Sequence, residues 1–233
     1  RRLFRRRRIV WRRRIVGELV TMARLTFTEA DHARIASAIR EAEIATTGEI
    51  YAVFARASDG YYFVSATAAL AIALLVAGVT LLLAPLFGVT VSAAALLGGQ
   101  IVIVLAMLAA FALSRNLRMA FVPRAIAERR AHRSALQQFF AHNLHTTAGR
   151  TGILIFVSEA ERFAEIVADD AIAAKVPQES WDAIVADLVT AAAEDRLADG
   201  YVAAAHAAGA ILTAHFPGDH RNPNEIPDRL VEI

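Results

Sequence analysis

From Gly60 to Ser114 the chain carries no Asp, Glu, Lys, Arg or His. Within that stretch Phe63–Leu83 and Val89–Leu113 are each long enough to cross a bilayer as a helix, which takes about 20 apolar residues. Between them lies Ala84-Pro85-Leu86-Phe87-Gly88, where Pro85 and Gly88 break helices. The pattern predicts two membrane helices joined by a tight turn. A soluble buried hairpin is the alternative, and it would require the rest of the chain to cover two helices that are apolar all round. Outside the hairpin the polarity is ordinary, enough for one domain of roughly 100 to 170 residues. There is no Cys among the 233 residues, which excludes a disulfide framework, a thiolate metal site and a Cys nucleophile.

The net charge of +2 is unevenly spread. Arginines crowd the N-terminal stretch (Arg1, Arg2, Arg5 to Arg8, Arg12 to Arg14) and follow the second apolar segment (Arg115, Arg118, Arg124, Arg129, Arg130, Arg133). Two spans return the chain to the side it left, and basic residues close to a span favour the cytoplasm. Both flanks of the hairpin, and both termini with them, are therefore expected in the cytoplasm. Residues 1–26 read as a basic leader without fixed structure, with Met22 a plausible initiator. A polybasic segment lying on anionic lipid is the functional alternative.

Thr28-Glu29-Ala30-Asp31 has the form of a helix N-cap, with Asp31 in the place of the capping-box acid. The helix that follows carries Ile35, Ile39 and Ala42 on one face and should end near Gly48 in a positive-φ conformation. Glu49 to Arg56 is apolar and rich in β-formers, as a strand covered on both faces would be. After the hairpin, Arg115 to about Asn143 is expected to be one long helical segment, kinked or restarted at Pro123. Its inward residues are Leu136, Phe139, Phe140 and Leu144. Ile153 to Val157 is a second strand and Phe163 to Ala168 a third, joined through Glu159-Ala160-Glu161-Arg162. A helix from about Gln178 to Ala198 should bury Trp181, Ile184, Val185 and Leu188. Asp199-Gly200 should break the chain before a final helix from Tyr201 to about His215, whose small residues allow close packing. Residues 217–233, with Pro217, Pro223 and Pro227, read as an irregular tail. The parts at 27–59 and 115–216 are each too small to fold alone. The expected architecture is one α/β domain interrupted by the hairpin of residues 60–114.

Three segments carry a resemblance to the TPM-domain family (DUF477, TPM phosphatase-like), in its bacterial membrane-protein branch. They are Thr47-Gly48-Glu49-Ile50-Tyr51, the run from Arg150 to Ser158, and the run from Glu161 to Asp169. Val176-Pro177 followed by Trp181, and the late Gly200 and Gly209, fit as well. The resemblance implies an α/β/α sandwich with a short mixed sheet, set in the bacterial cytoplasmic (inner) membrane. It also implies a link to acid phosphatase activity, accessory roles beside membrane complexes, and in some members calcium bound by carboxylates at one end of the sheet.

Read from the residues, the strongest chemical constellation is acidic. Glu49 opens the first strand and Asp169-Asp170 end the third, with Glu159 or Glu161 as further candidates. Clustered carboxylates repel unless a cation lies among them, so Ca²⁺ or Mg²⁺ is the natural guest of a site formed by Glu49, Glu161, Asp169 and Asp170. Equally, Asp169 and Asp170 can simply end a strand and cap a short helix at Ala171 to Ala174. Arg150 and Arg162 are the candidate phosphate-binding cations, although no phosphate-cradling glycine loop or Asp-x-Asp motif accompanies them. His142 and His145 have ligand spacing but no third ligand, and His215 and His220 read as solvated. No ionisable group lies inside the spans, which argues against transport by the hairpin alone. Ala69, Ala73 and Ala77, with Gly98-Gly99, favour close helix packing, either between the spans or with a partner. The leading expectation is a membrane-anchored binding or accessory module without a nucleic-acid partner, meeting lipid and another membrane protein or itself. The alternative is a metal-dependent acid phosphatase.

Overall fold

The computed structural model describes residues 9–10, 25–147, 149–218 and 224–233. Most of the basic leader, with Trp11 and Met22, lies outside the described residues, as do His220 and Pro223. The chain divides into two compact units. One joins residues 1–58 to 128–233, and the other is residues 59–127.

The first unit is built on a mixed sheet in the order β1-β4-β3-β2-β5. Here β1 is Ile9–Val10, β2 Glu49–Ala55, β3 Gly152–Ser158, β4 Phe163–Ala168 and β5 Leu230–Glu232. β2 and β3 run parallel in unbroken register, with Ile50 opposite Ile153 and Ala55 opposite Ser158. β4 returns antiparallel beside β3, and β5 joins the other edge parallel to β2. Every residue of β2 and β3 is buried, as expected for strands covered on both faces. Alternation then sorts the side chains. Ile50, Ala52, Phe54, Ile153, Ile155 and Val157 meet the helices α1 (Glu29–Glu43), α7 (Gln178–Ala193) and α8 (Leu197–His215). Tyr51, Val53, Ala55, Leu154 and Phe156 meet Ala131, Ala135 and Phe139 of α5 (Arg124–Ala141). The sheet thus has helices on both faces, an α/β arrangement assembled from two pieces distant in sequence.

α1 opens with a complete capping box, Thr28 accepting from the Asp31 N–H while the Asp31 carboxylate accepts from the Thr28 N–H. The helix ends at Glu43, and Gly48 does not take positive φ. A Cβ on Gly48 would instead stand 2.8 Å from Leu212, so the glycine serves close packing against α8. Asp199-Gly200 does not break the chain. The break falls at Asp195, with φ 57°, and Gly200 lies inside α8 where a Cβ would meet that of Ala191 at 2.8 Å. Gly209 does the same toward α1, with Ala42 Cβ at 2.5 Å. Two glycines in one helix therefore let it approach two neighbours closely. The basic segment after the hairpin is two helices, α4 (Arg115–Ala120) and α5, with Pro123 just before the fresh start. Phe140 is 47% exposed rather than inward, because the buried stripe of α5 is Ala131, Ala135 and Phe139. The tail is not wholly irregular, since it supplies β5 and the buried Ile226.

The second unit contains α2 (Tyr62–Leu83), a 3₁₀ turn at Ala84–Phe87, α3 (Ala93–Leu113) and α4. Gly88, at φ 67°, closes the turn by donating to the carbonyls of Ala84 and Pro85. Ala69 and Ala73 of α2 are buried completely or nearly so and Ala77 is only 8% exposed, so the small-residue row of this helix is used inside the unit. The opposite faces expose Leu70, Leu74, Leu82, Ile101, Val102 and Leu105. By length and composition both helices are able to cross a membrane, and only 11% of the first apolar stretch and 6% of the second are buried.

Candidate functional site: a carboxyl cluster and the cleft beside it

The ends of β2 and β3 from which both strands start form one rim of the sheet. Glu49 sits there beside Gly152, and Asp169 donates its backbone N–H to the Gly152 carbonyl from the other side. With strands about 4.8 Å apart, Glu49 and Asp169 stand roughly 10 Å from each other at Cα. Glu161 lies at the opposite end, in the turn between β3 and β4, roughly 20 Å away along a seven-residue strand. The four carboxylates proposed to share a cation are therefore not one cluster. Among the described residues no group of three or more His, Asp or Glu side chains is arranged to hold a metal ion. Glu161 is occupied by backbone and hydroxyl partners: its carboxylate accepts from the Ser158 hydroxyl and from the Ser58 N–H at 2.9 Å. Asp169 caps helix α6 (Asp170–Lys175) by accepting from the Asp170 N–H at 2.7 Å, as the capping alternative anticipates. Its other carboxylate oxygen is buried with no hydrogen-bond partner among the described residues.

The candidate phosphate cations are separated in the same way. Arg150 precedes β3 and stands 3.9 Å from Asp170, whereas Arg162 lies in the far turn. Both hold positive φ, at 52° and 50°, which suits tight loops. No single oxyanion can bridge them.

A different acidic group forms at the rim, where residues 224–229 run toward β5. The buried Glu49 carboxylate accepts from the Ile226 N–H at 3.3 Å, and Glu43, in the last turn of α1, accepts from the Ile50 N–H at 2.6 Å. Asp228 pairs with Arg40 at 3.2 Å and accepts from the Asn224 amide at 2.7 Å. Burial raises the Glu43 pKa to about 9, and the nearby Glu49 and Asp228 charges add to the effect. Glu49 is raised too, first by burial and then by Glu225 and Asp228, against the lowering effect of the backbone donors of Glu225 and Ile226. Glu43 is thus a neutral acid at pH 7, able to donate to Asp228 while it accepts from Ile50.

Against this rim lies a cleft of about 260 Å³ lined by Tyr51, His142, Asn143, Thr146, Glu225 and Arg229, among others. The His142 ring stacks on Tyr51 with centroids 4.4 Å apart, and its Nε2 lies 3.5 Å from the Tyr51 hydroxyl. Burial, helped by the Arg229 charge, holds His142 below the ordinary imidazole pKa. Asn143 takes φ 57° and turns the chain out of α5 into the cleft wall. A second polar pair is buried on the α5 face of the sheet, where His132 Nδ1 is 2.7 Å from Glu165 and Nε2 has no hydrogen-bond partner among the described residues.

Sequence reasoning reached His142 but missed Glu43, Asp228, Arg229 and the His132–Glu165 pair. Glu43 and Asp228 meet because β5 pins the tail to β2. A three-residue strand after Pro227 is too short to signal itself by alternation. Glu165 sits in a strand otherwise apolar, and a lone acid at such a position was the available clue.

No protein-family model and no curated protein matches the chain. Among solved structures it is similar to the BA42 protein of the psychrophilic bacterium Bizionia argentinensis, determined by NMR. The TM-score is 0.54 at 16% identity, covering 93% of this chain and 99% of that one. At that identity the likeness is one of fold.

Proposed function

We propose that this chain is a membrane-anchored binding or accessory module of the TPM-domain type, with the hairpin α2–α3 in the cytoplasmic membrane and the α/β unit at its cytoplasmic face. One observation carries the reading. Two consecutive helices of 22 and 21 residues carry no charge and leave most of their apolar surface uncovered by the described chain. In water that exposure would be a severe aggregation liability, whereas in hydrocarbon it is the normal state of a span. A core helix of a soluble protein would be mostly buried instead. The arginines at 115, 118 and 124 support the cytoplasmic assignment, since basic residues flanking a span are retained on that side. The cleft between Tyr51 and Arg229 is the place where a small ligand or a partner's side chain would enter the α/β unit.

The test uses the absence of cysteine. Full-length protein expressed in bacteria should stay with the membrane after an alkaline carbonate wash. A single cysteine placed at Thr90 should react with an impermeant thiol reagent from outside, and one placed at Glu179 should not. Release into the wash, or the reverse labelling, overturns the proposal. The phosphatase alternative is tested by assaying a generic phosphomonoester with and without Ca²⁺ or Mg²⁺. Turnover that disappears in an Asp169→Asn/Asp170→Asn variant would establish it in place of the leading reading.

A further inference from the structure

Where the second apolar helix ends, the chain does not simply leave. Ser114 takes an extended conformation and caps the new helix α4, whose Arg115 is exposed; Leu117 within it and Phe121 just after it are 36% and 40% exposed. Arg118 turns back. Its Nε and one terminal nitrogen donate to the Phe111 carbonyl at 3.2 and 2.8 Å, and the other terminal nitrogen donates to the Gly60 carbonyl at 2.9 Å. The same guanidinium lies 5.3 Å from the Tyr62 ring centroid. Phe111 belongs to the last turn of α3 and Gly60 to the entry of α2, so a single cation ties together the adjoining ends of both helices. The Phe111 carbonyl is one of those that a helix C-terminus leaves without an internal partner. Arginine is suited to this level because its stem lies along apolar surface while its head reaches polar groups.

Around that clamp positive charge predominates, with Asp59 and Glu128 standing just outside the two ends of the stretch 60–127. From Gly60 to Ala127 there is no Asp or Glu, and the only charged residues are Arg115, Arg118 and Arg124. Exposed apolar side chains (Leu113, Leu117, Phe121) alternate with the exposed Arg115 and Arg124 over a single short stretch. An aqueous protein partner would cover such a patch with acidic and apolar groups together. The headgroup layer already offers both within a few ångströms, phosphate above and acyl chain below.

Taking the hairpin as membrane-embedded, we infer that the Arg115–Arg124 segment is a recognition surface for anionic phospholipid, with α4 lying in the headgroup layer and Arg118 fixing its depth. Arg115 and Arg124 meet lipid phosphates, while Leu113, Leu117 and Phe121 enter the acyl boundary. The preference is for a lipid of net negative charge. Zwitterionic headgroups bring a compensating ammonium close to the same arginines.

The experiment reconstitutes the full chain into vesicles of phosphatidylcholine and phosphatidylglycerol in equal amounts. The protein is re-extracted in mild detergent, and the phospholipid retained is quantified by mass spectrometry. Retained lipid should be several-fold enriched in phosphatidylglycerol. With each basic residue near an anionic surface contributing about fivefold, an Arg115→Gln/Arg124→Gln variant should lose most of that enrichment while still entering vesicles with unchanged helicity. Should the variant fail to fold, the native protein gives the same information. Its enrichment should collapse when extraction is repeated near 1 M salt, where screening shortens to about 3 Å. Equal retention of the two lipids, or an enrichment indifferent to both the substitutions and salt, overturns this inference alone. Failure to enter vesicles of either lipid overturns the membrane reading and this inference with it.

Discussion

Replacing Glu43 by Gln should stabilise the protein at neutral pH. Glu43 has an ordinary pKa of 4.5 and a folded value of about 9, so between these limits the folded chain holds a proton that the unfolded chain has lost. Stability is then fully present below pH 4.5 and falls as pH rises toward 9, by about 1.4 kcal/mol per unit for one proton. At pH 7 the accumulated loss is about 3 kcal/mol, or about half of that if the rim relaxes toward water when Glu43 ionises. Gln copies the neutral acid. Its oxygen accepts from the Ile50 N–H and its amide donates to Asp228, and no proton has to be held. Thermal unfolding in detergent, followed through the near-ultraviolet signal of the buried Trp181, should show a midpoint for Glu43→Gln higher by roughly 5 to 10 °C at pH 7. The gap should shrink to nothing near pH 4.5 and widen toward pH 9. The variant should retain some pH dependence from Glu49, which is raised in the same direction, so its profile should be flatter than the native one but not level. A variant less stable than native at pH 7, or two profiles that run parallel from pH 5 to 8, would refute the account of this cluster.

Gly152→Ala should unfold the α/β unit by about 2 kcal/mol or more, because its Cβ would stand 2.4 Å from the Leu144 carbonyl oxygen, a backbone atom that cannot move aside. Denaturation compared with that of Gly78→Ala, where nothing lies within 4 Å, separates this clash from general glycine effects. Glu161→Ala should cost about 1 to 3 kcal/mol by leaving the Ser58 N–H and the Ser158 hydroxyl without their acceptor, with no change in Ca²⁺ affinity by calorimetry. Arg118→Gln should lower the thermal midpoint in detergent by several degrees, since it removes three donors from the Phe111 and Gly60 carbonyls.

Much of the fold was legible because its signals are local. The capping box at Thr28, the apolar runs of β2, β3 and β4, the stripe Trp181-Ile184-Val185-Leu188 and the uncharged hairpin each depend on residues within one or two turns of one another. Even the pairing of β2 with β3 across the intervening hairpin was expected, because the two parts flanking the hairpin are each too small to fold alone. Glycine was harder to read. Gly48 and Gly200 look like breakers in sequence, yet in the structure each marks a place where another element comes too close for a side chain, as Gly209 does by the close packing expected of it. Backbone freedom and lack of volume have the same sequence signature, and only the neighbour distinguishes them.

The chemistry was less legible for a related reason. Charge-free length, strand periodicity and helix caps were determined by the sequence itself, since a bilayer-length apolar run or a capping acid acts on its own segment wherever the rest goes. Which carboxylates meet was decided only in three dimensions. Asp169-Asp170 and Glu161 were placed at opposite ends of one sheet by the antiparallel return of β4. Arg40 and Asp228, 188 residues apart, were brought together by a three-residue strand at the sheet edge. Electrostatic coupling depends on distance through space and on burial, and neither is a property of spacing along the chain.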